Sequence, residues 1–420
     1  MKEFRCLLNG NMIRQGEKNT VTIISWPISN PPNNGGENRM LSIIAAFVAN
    51  GWKIHCIFVA RGIPPEQSAS WYGLKKMGVA SVKIKLIGKV DHYLGKLFNG
   101  LKNCSFGFPE AFSPLLKTWI RRELKKNNSR LILTNHVQWT PLVVGHHGRQ
   151  VAIDCVDICT LHRNQLSRIA SFFPWEGWVI PQSSDPVLDE DCFIDYPTSS
   201  DLKTEIKILG KFDSILAISA SEAYVIGNFV MKNRIMTVPM CVDPVDIENT
   251  YDGPPIFVGH NHPFNAQGYA YFVSRVLPIV VKEVPDFTFR VIGKDTKRFP
   301  GHPAAEIRGF VDNIIDEYRT APFLIASMLG GTGQLTRVVE AMSCGIPVVA
   351  SKASARSSPI RHGVNGFITA DAAEMARHVI TLHRDRLLAR AMGHAARETV
   401  RAECSFVCMR DMLNRIFGLK

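Results

Sequence analysis

The stretch GGTGQLTRVVEAMSCGIPVVAS, Gly330 to Ser351, decides the fold. It reads as a glycine-rich turn, a helix and a strand, and it follows directly on the apolar run FLIASML. Strand, glycine turn, helix and strand make up the repeat of a parallel α/β sheet, whose ligands sit at the carboxyl ends of the strands.

The helix has only two charged residues, Arg337 and Glu340, three positions apart. Packing needs neither. Residues three apart share a helix face, and as an exposed ion pair they would add only a few tenths of a kcal/mol. The apolar flanks Val338, Val339, Ala341 and Met342 argue against that exposed reading. A ligand explains the pair better. Glycines let backbone N–H groups approach an anion, and the helix N-terminus adds partial positive charge. Arg337, one turn in, can place a permanent charge near a diphosphate. Glu340 can accept two hydroxyl hydrogen bonds from a ribose or sugar diol. The sequence of anion site, cation and diol acceptor then spans about 10 Å of helix. Other phosphate motifs fit less well. Thr336 stands where GxGxxG needs its third glycine, and no GK[ST] follows.

Outward from this stretch the same alternation covers the chain. TVTIISW, a turn-rich PISNPPNNGGE, the helical NRMLSIIAAFVAN and the strand KIHCIFVA form a βαβ unit. SVKIKLI, RLILTNH, QVAIDCVD, DSILAIS and RIMTVPM continue it. The proline-rich segment Cys241 to Pro255 reads as a linker. Beyond it the pattern restarts with PIFVG, YFVSRVLPIVVKEV and FTFRVIG. The expected fold is α/β, with two doubly wound Rossmann-like domains facing a cleft. The domains expected are an extension at 1–19, a first domain at 20–240 and a second at 241–404. The helix at 405–420 is expected to join the first domain. The aromatic, acidic segment Ser171 to Asp201 breaks the pattern, as a lid or a surface insertion would.

The 420 residues carry 49 Lys and Arg against 37 Asp and Glu, a net +12. The basic residues are spread rather than clustered, and no zinc-finger or RNA-binding signature occurs, so nucleic acid is not an expected partner. The ten cysteines include no CxxC pair and read as buried thiols. Asp189 to Asp191 forms a DxD, but it follows proline and serine rather than a strand, so no metal is expected. No run reaches the length of a membrane span, and a cytoplasmic location is expected. The basic, apolar helix LLKTWIRRELKK packs its stripe on a sheet or rests on an anionic membrane surface; the net charge leaves a peripheral contact at the inner face open.

GGTGQLTRVVEAMSCGIPVVAS followed by HGVNGF resembles the nucleotide-sugar signature of the group 1 (family 4) glycosyltransferases, which have the GT-B fold. ISASEAYVI, IMTVPMCVDP, PIFVG, VPDFTFRVIGKD, RGFVDNIIDEY and NNGGENRML are similar to segments of the same group. The resemblance covers residues 20–400 and is most specific in the second half. It implies metal-free, retaining transfer from a UDP- or GDP-linked sugar, with no cofactor, to a saccharide or lipid-linked saccharide, as in polysaccharide biosynthesis. It places Arg337 at the donor phosphates and Glu340 at the ribose. It brings the amides of Gly35 and Gly36 to the diphosphate, sets Phe310 and Val311 beside the base, and puts Gly331, Thr332 and Gly333 in the donor loop. Two positions depart from the pattern. Thr332 stands where many members have a first glutamate, eight before Glu340, and Val156 stands where many have a histidine. His136 is the nearest substitute for that histidine, and Asp157 is a candidate to orient hydroxyls. These departures keep a catalytically silent GT-B binding module open as an alternative. A sugar-nucleotide epimerase of the same fold is the other.

Overall fold

The structure, a computed structural model, describes residues 19–30, 32, 34–62, 65–100, 108–146, 148–172, 200–260 and 262–418. All but the last residue of the extension 1–19, the Asp189–Asp191 motif and most of the segment 171–201 therefore lie outside the described residues.

Thirteen strands are described: β1 (Thr20–Ser25), β2 (Lys53–Ala60), β3 (Ser81–Leu86), β4 (Leu131–Asn135), β5 (Gln150–Cys155), β6 (Ser214–Ala217), β7 (Ile235–Thr237), β8 (Ile256–Val258), β9 (Phe289–Ile292), β10 (Ala305–Gly309), β11 (Leu324–Ala326), β12 (Val348–Ser351) and β13 (Gly366–Thr369). They form two sheets, ordered β3-β2-β1-β4-β5-β6-β7 and β10-β9-β8-β11-β12-β13. Every strand pair in both is parallel. Central strands such as β2 are buried on both faces, which is why KIHCIFVA is almost uninterrupted apolar sequence.

The order of each sheet reverses once, between β1 and β4 in the first and between β8 and β11 in the second. Such a switch point opens a crevice at the strands' carboxyl ends. The helices packed about the two sheets include α1 (Gly35–Ala49), α2 (Pro114–Asn127), α3 (Cys159–Phe172), α4 (Ala220–Gly227), α5 (Pro263–Tyr271), α6 (Thr336–Ser343) and α7 (Phe406–Phe417). α5 runs on through a π turn, Phe272–Val276, just before Pro278. The wider turn accommodates a residue that lacks an N–H and crowds the preceding turn.

Each sheet has its own core. One cluster runs from Tyr251 to Cys404 around the second sheet. Two others cover the faces of the first, and Phe406, Met409, Leu413 and Phe417 of α7 belong to one of them. The last helix thus packs on the first domain, with Phe417 5.9 Å from Phe47 of α1. The chain crosses between domains at Met240–Val245 and again at Cys404–Phe406. The crossings are bonded to each other: the Val242 amide donates to the Cys404 carbonyl at 2.8 Å, and the Phe406 amide to Asp243 at 2.9 Å. In α2, Leu116, Ile120 and Leu124 face the sheet, while Leu115 is exposed. Among the described residues no helix is long and apolar enough to cross a membrane.

Candidate functional site

The switch points bring two helix N-termini together. Gly35 opens α1 after β1, and Thr336 opens α6 after β11. They touch: a Cβ on Gly35 would lie 2.8 Å from the Thr336 hydroxyl. The Asn34 side chain caps α1 through the Glu37 amide, whereas Leu335 offers α6 no side-chain cap. The positive ends of two helices thus meet at one place, as an anion site requires. Gly36 is the next residue of α1.

Arg337 lies just inside this junction. Its Nη1 donates to the Val258 carbonyl at 2.6 Å and to Asn265 Oδ1 at 2.7 Å, which ties it to the end of β8 and to α5. Burial lowers its pKa to about 10, so it is still a cation at neutral pH. Gly259 keeps its space, since a Cβ there would lie 3.4 Å from that Nη1. Glu340 lies one turn further along α6. Burial raises its carboxyl above the usual range, and the nearby Arg337 charge opposes the shift. The buried Tyr318 hydroxyl has no hydrogen-bond partner among the described residues, and burial together with the Glu340 charge pushes its pKa up. Phe310 follows β10 and is 70% exposed, and Val311 is half-buried behind it.

The loop before α6 is held by the first domain. The Thr332 hydroxyl donates to Asp157 Oδ1. His162 of α3 sets its Nδ1 2.9 Å from Asp157 Oδ2 and 3.2 Å from the Thr332 hydroxyl. The Asp157 carboxylate accordingly raises the His162 pKa. The Gly331 amide donates to Gln165 at 2.8 Å and the Gly333 amide to Glu222 at 3.2 Å. Positive φ angles of 130° and 74° at Gly331 and Gly333 turn these amides outward, which glycine does without strain. His162 also lies edge-on to Phe264 and His262 of the second domain, at 5.0 and 5.9 Å. Burial, with His162, His260 and Arg337 nearby, lowers the His262 pKa to about 4.

His136 follows β4 with a positive φ of 66°. Burial lowers its pKa, while Asp154 and Asp157 pull the other way, so Asp157 and His136 share one electrostatic environment. Arg39 of α1 and Asp154 of β5 form a fully buried ion pair, with Nη2 2.6 Å from Oδ1 and Nε 2.9 Å from the same oxygen. It anchors the helix that carries Gly35 to the strand that leads to Asp157. Among the described residues no three His, Cys, Asp or Glu side chains gather as a metal site.

Sequence reasoning did not single out His162, Gln165, Glu222 or Arg39. His162 lies five residues after Asp157 and Arg39 lies inside NNGGENRML, so both were within or beside stretches already marked.

Residues 255–385 match the family model described as Glycosyl transferases group 1. No curated protein matches the chain. Solved structures match it nearly end to end at low identity. HepE from Anabaena in complex with UDP and glucose is 13% identical, with 95% of this chain and 99% of that one covered and a TM-score of 0.61. A point mutant of S. aureus TarM in complex with fondaparinux, alpha-GlcNAc-glycerol and UDP is 11% identical, with coverages of 96% and 100% and a TM-score of 0.65. The sucrose-phosphate synthase of Thermosynechococcus elongatus is 14% identical, with coverages of 95% and 98% and a TM-score of 0.60. The chain has the two-domain GT-B fold, and its second half carries a glycosyltransferase domain of group 1.

Proposed function

We propose that this glycosyltransferase moves a sugar from a UDP- or GDP-linked donor to a saccharide or lipid-linked saccharide, with retention and without a metal. One observation carries the reading: the N-termini of α1 and α6 meet, Gly35 against Thr336, with Arg337 and Glu340 on the first two turns behind them. UDP bound in the HepE and TarM structures favours UDP as the base-bearing half of the donor.

The diphosphate lies between the two helix ends. Arg337 Nη1 is committed to Val258 and Asn265, which fixes the guanidinium and leaves Nη2 and Nε to face the phosphates. Glu340 takes the ribose hydroxyls, and the exposed ring of Phe310, with Val311, flanks the base. Cleavage of the bond between the anomeric carbon and the phosphate oxygen leaves charge on the diphosphate. Preorganised amides and Arg337 stabilise that charge, the main catalytic term of such a site. The acceptor oxygen bonds to the anomeric carbon from the same face, and its proton passes to the departing phosphate. No protein base is needed. Asp157, with each oxygen engaged, organises Thr332 and His162; the neutral His136 offers a hydrogen bond to a substrate hydroxyl. The protein acts in the cytoplasm, with peripheral contact at the inner face of the membrane where a lipid-linked acceptor would lie.

The test is a thermal-shift titration with UDP, GDP, ADP and dTDP on the native protein and on Arg337→Ala. A ligand at a hundred times its Kd stabilises by about 2.7 kcal/mol. One diphosphate should raise the native midpoint and leave that of the mutant unmoved. If none raises it, the donor reading fails.

A further inference from the structure

The sequence SASE, Ser219 to Glu222, has the form of a capping box, in which the glutamate at the third helical position returns to the amide of the capping serine. Half of the box is present: the Ser219 hydroxyl accepts the Glu222 amide at 3.2 Å. The glutamate does not return. Its Oε1 instead accepts two amides from elsewhere, Ile158 and Gly333, each at 3.2 Å. Ile158 follows Asp157 in the first domain, and Gly333 lies in the loop before α6 in the second.

We infer that Glu222 is a positioning residue for the donor loop: one buried carboxyl oxygen ties the Gly333 amide to the turn that carries Asp157. The inference rests on the donor reading above. Three further observations support it. Glu222 is fully buried, and among the described residues its other oxygen has no hydrogen-bond partner. Burying an unpaired carboxyl oxygen is unfavourable, so a site that served only the helix cap would not need it. Burial and the Asp157 charge push its pKa well up, which suits a carboxyl that acts as an acceptor through one oxygen. The loop also packs closely on the same turn, because a Cβ on Gly333 would lie 2.8 Å from the Val156 carbonyl.

Because both amides meet the same oxygen, the charge is dispensable and the oxygen is not. Glu222→Gln keeps an amide oxygen where Oε1 stands. Glu222→Ala removes it, and Glu222→Asp withdraws it by one methylene. The experiment uses the full chain and titrates UDP and GDP calorimetrically into native protein and the three variants. Amide hydrogen exchange is followed in parallel across 330–336. Glu222→Gln should hold the nucleotide within about threefold of native, and Glu222→Ala and Glu222→Asp should bind it at least roughly tenfold more weakly. The Gly333 amide should exchange slowly in native protein and Glu222→Gln, and fast in the other two.

A folded Glu222→Ala or Glu222→Asp with native affinity and native exchange would overturn the inference. So would Glu222→Gln losing affinity as fully as Glu222→Ala. If Glu222→Ala does not fold, Glu222→Asp decides. If native protein binds neither nucleotide, the donor reading fails on its own, and the exchange of Gly333 still decides whether Glu222 holds the loop.

Discussion

Gly333→Ala tests the junction between the domains through a single methyl group. Gly333 has φ 74°, where a side chain costs about 1–2 kcal/mol. The new Cβ would also stand 2.8 Å from the Val156 carbonyl, a backbone atom of the other domain that cannot rotate away. Parting the two domains by a few tenths of an ångström relieves that contact, so the strain falls on the pairing of the domains rather than on either core. Gly363→Ala is the control. Its φ is 75°, but nothing lies within 4 Å of a Cβ there, so it carries the backbone strain without the clash. Both variants should lose about 1–2 kcal/mol of stability in thermal melts. Only Gly333→Ala should lose UDP affinity, by roughly tenfold or more, since each 1.4 kcal/mol of displaced pairing is a factor of ten. Calorimetric titration of the two variants side by side reads the difference. Equal UDP affinity in native protein and Gly333→Ala would refute the argument, as would an equal loss in both variants.

Two further outcomes follow from buried charge. Arg39→Met leaves Asp154 charged and unpaired in the first core and should cost about 3–5 kcal/mol in chemical denaturation, while Arg39→Met with Asp154→Leu should recover most of it. A single variant that melts like native protein would show that the pair contributes nothing. His262 has its folded pKa lowered to about 4 from an ordinary 6.5, so the unfolded chain binds its proton first as pH falls. The stability it contributes is complete above pH 6.5 and is lost progressively between 6.5 and 4. His262→Asn keeps a side-chain cap on α5 and should flatten that part of the melting-point curve; an unchanged slope counts against the assignment.

The strands were legible because each is an apolar run with a turn signal at either end. KIHCIFVA spans Lys53–Ala60 residue for residue. FLIASML overreaches: β11 ends at Ala326, because Ser327 bonds the Gly268 carbonyl and the Met328 amide bonds Ser354 instead of a neighbouring strand. Both residues are apolar or small enough to pass for strand, and their partners lie dozens of positions away. The π turn at Phe272–Val276 escapes notice for a similar reason, since only Pro278 hints at it. In the site, Arg337 and Glu340 stood out because charge is scarce in that helix. Glu222 did not, because S-x-x-E has an ordinary explanation within four residues, and the amide that overrides it lies 111 positions away. The Arg39–Asp154 pair, 115 positions apart, is invisible in the same way. Local pattern reports local constraints; a bond between residues more than a hundred positions apart leaves no period in the sequence.

The two chain crossings set how the halves can move. One crossing would act as a swivel, leaving the second domain free to turn about three axes. Two chain segments bonded to each other, stitched through Val242 to Cys404 and through Asp243 to Phe406, leave one easy axis, the line through both. The molecule is therefore built like a door on two hinges rather than a ball in a socket. Any swing about that single axis would bring the two halves back in the same register. Contacts that depend on a few tenths of an ångström, such as Gly333 under Val156 and Gly35 against Thr336, are then remade each time without a search.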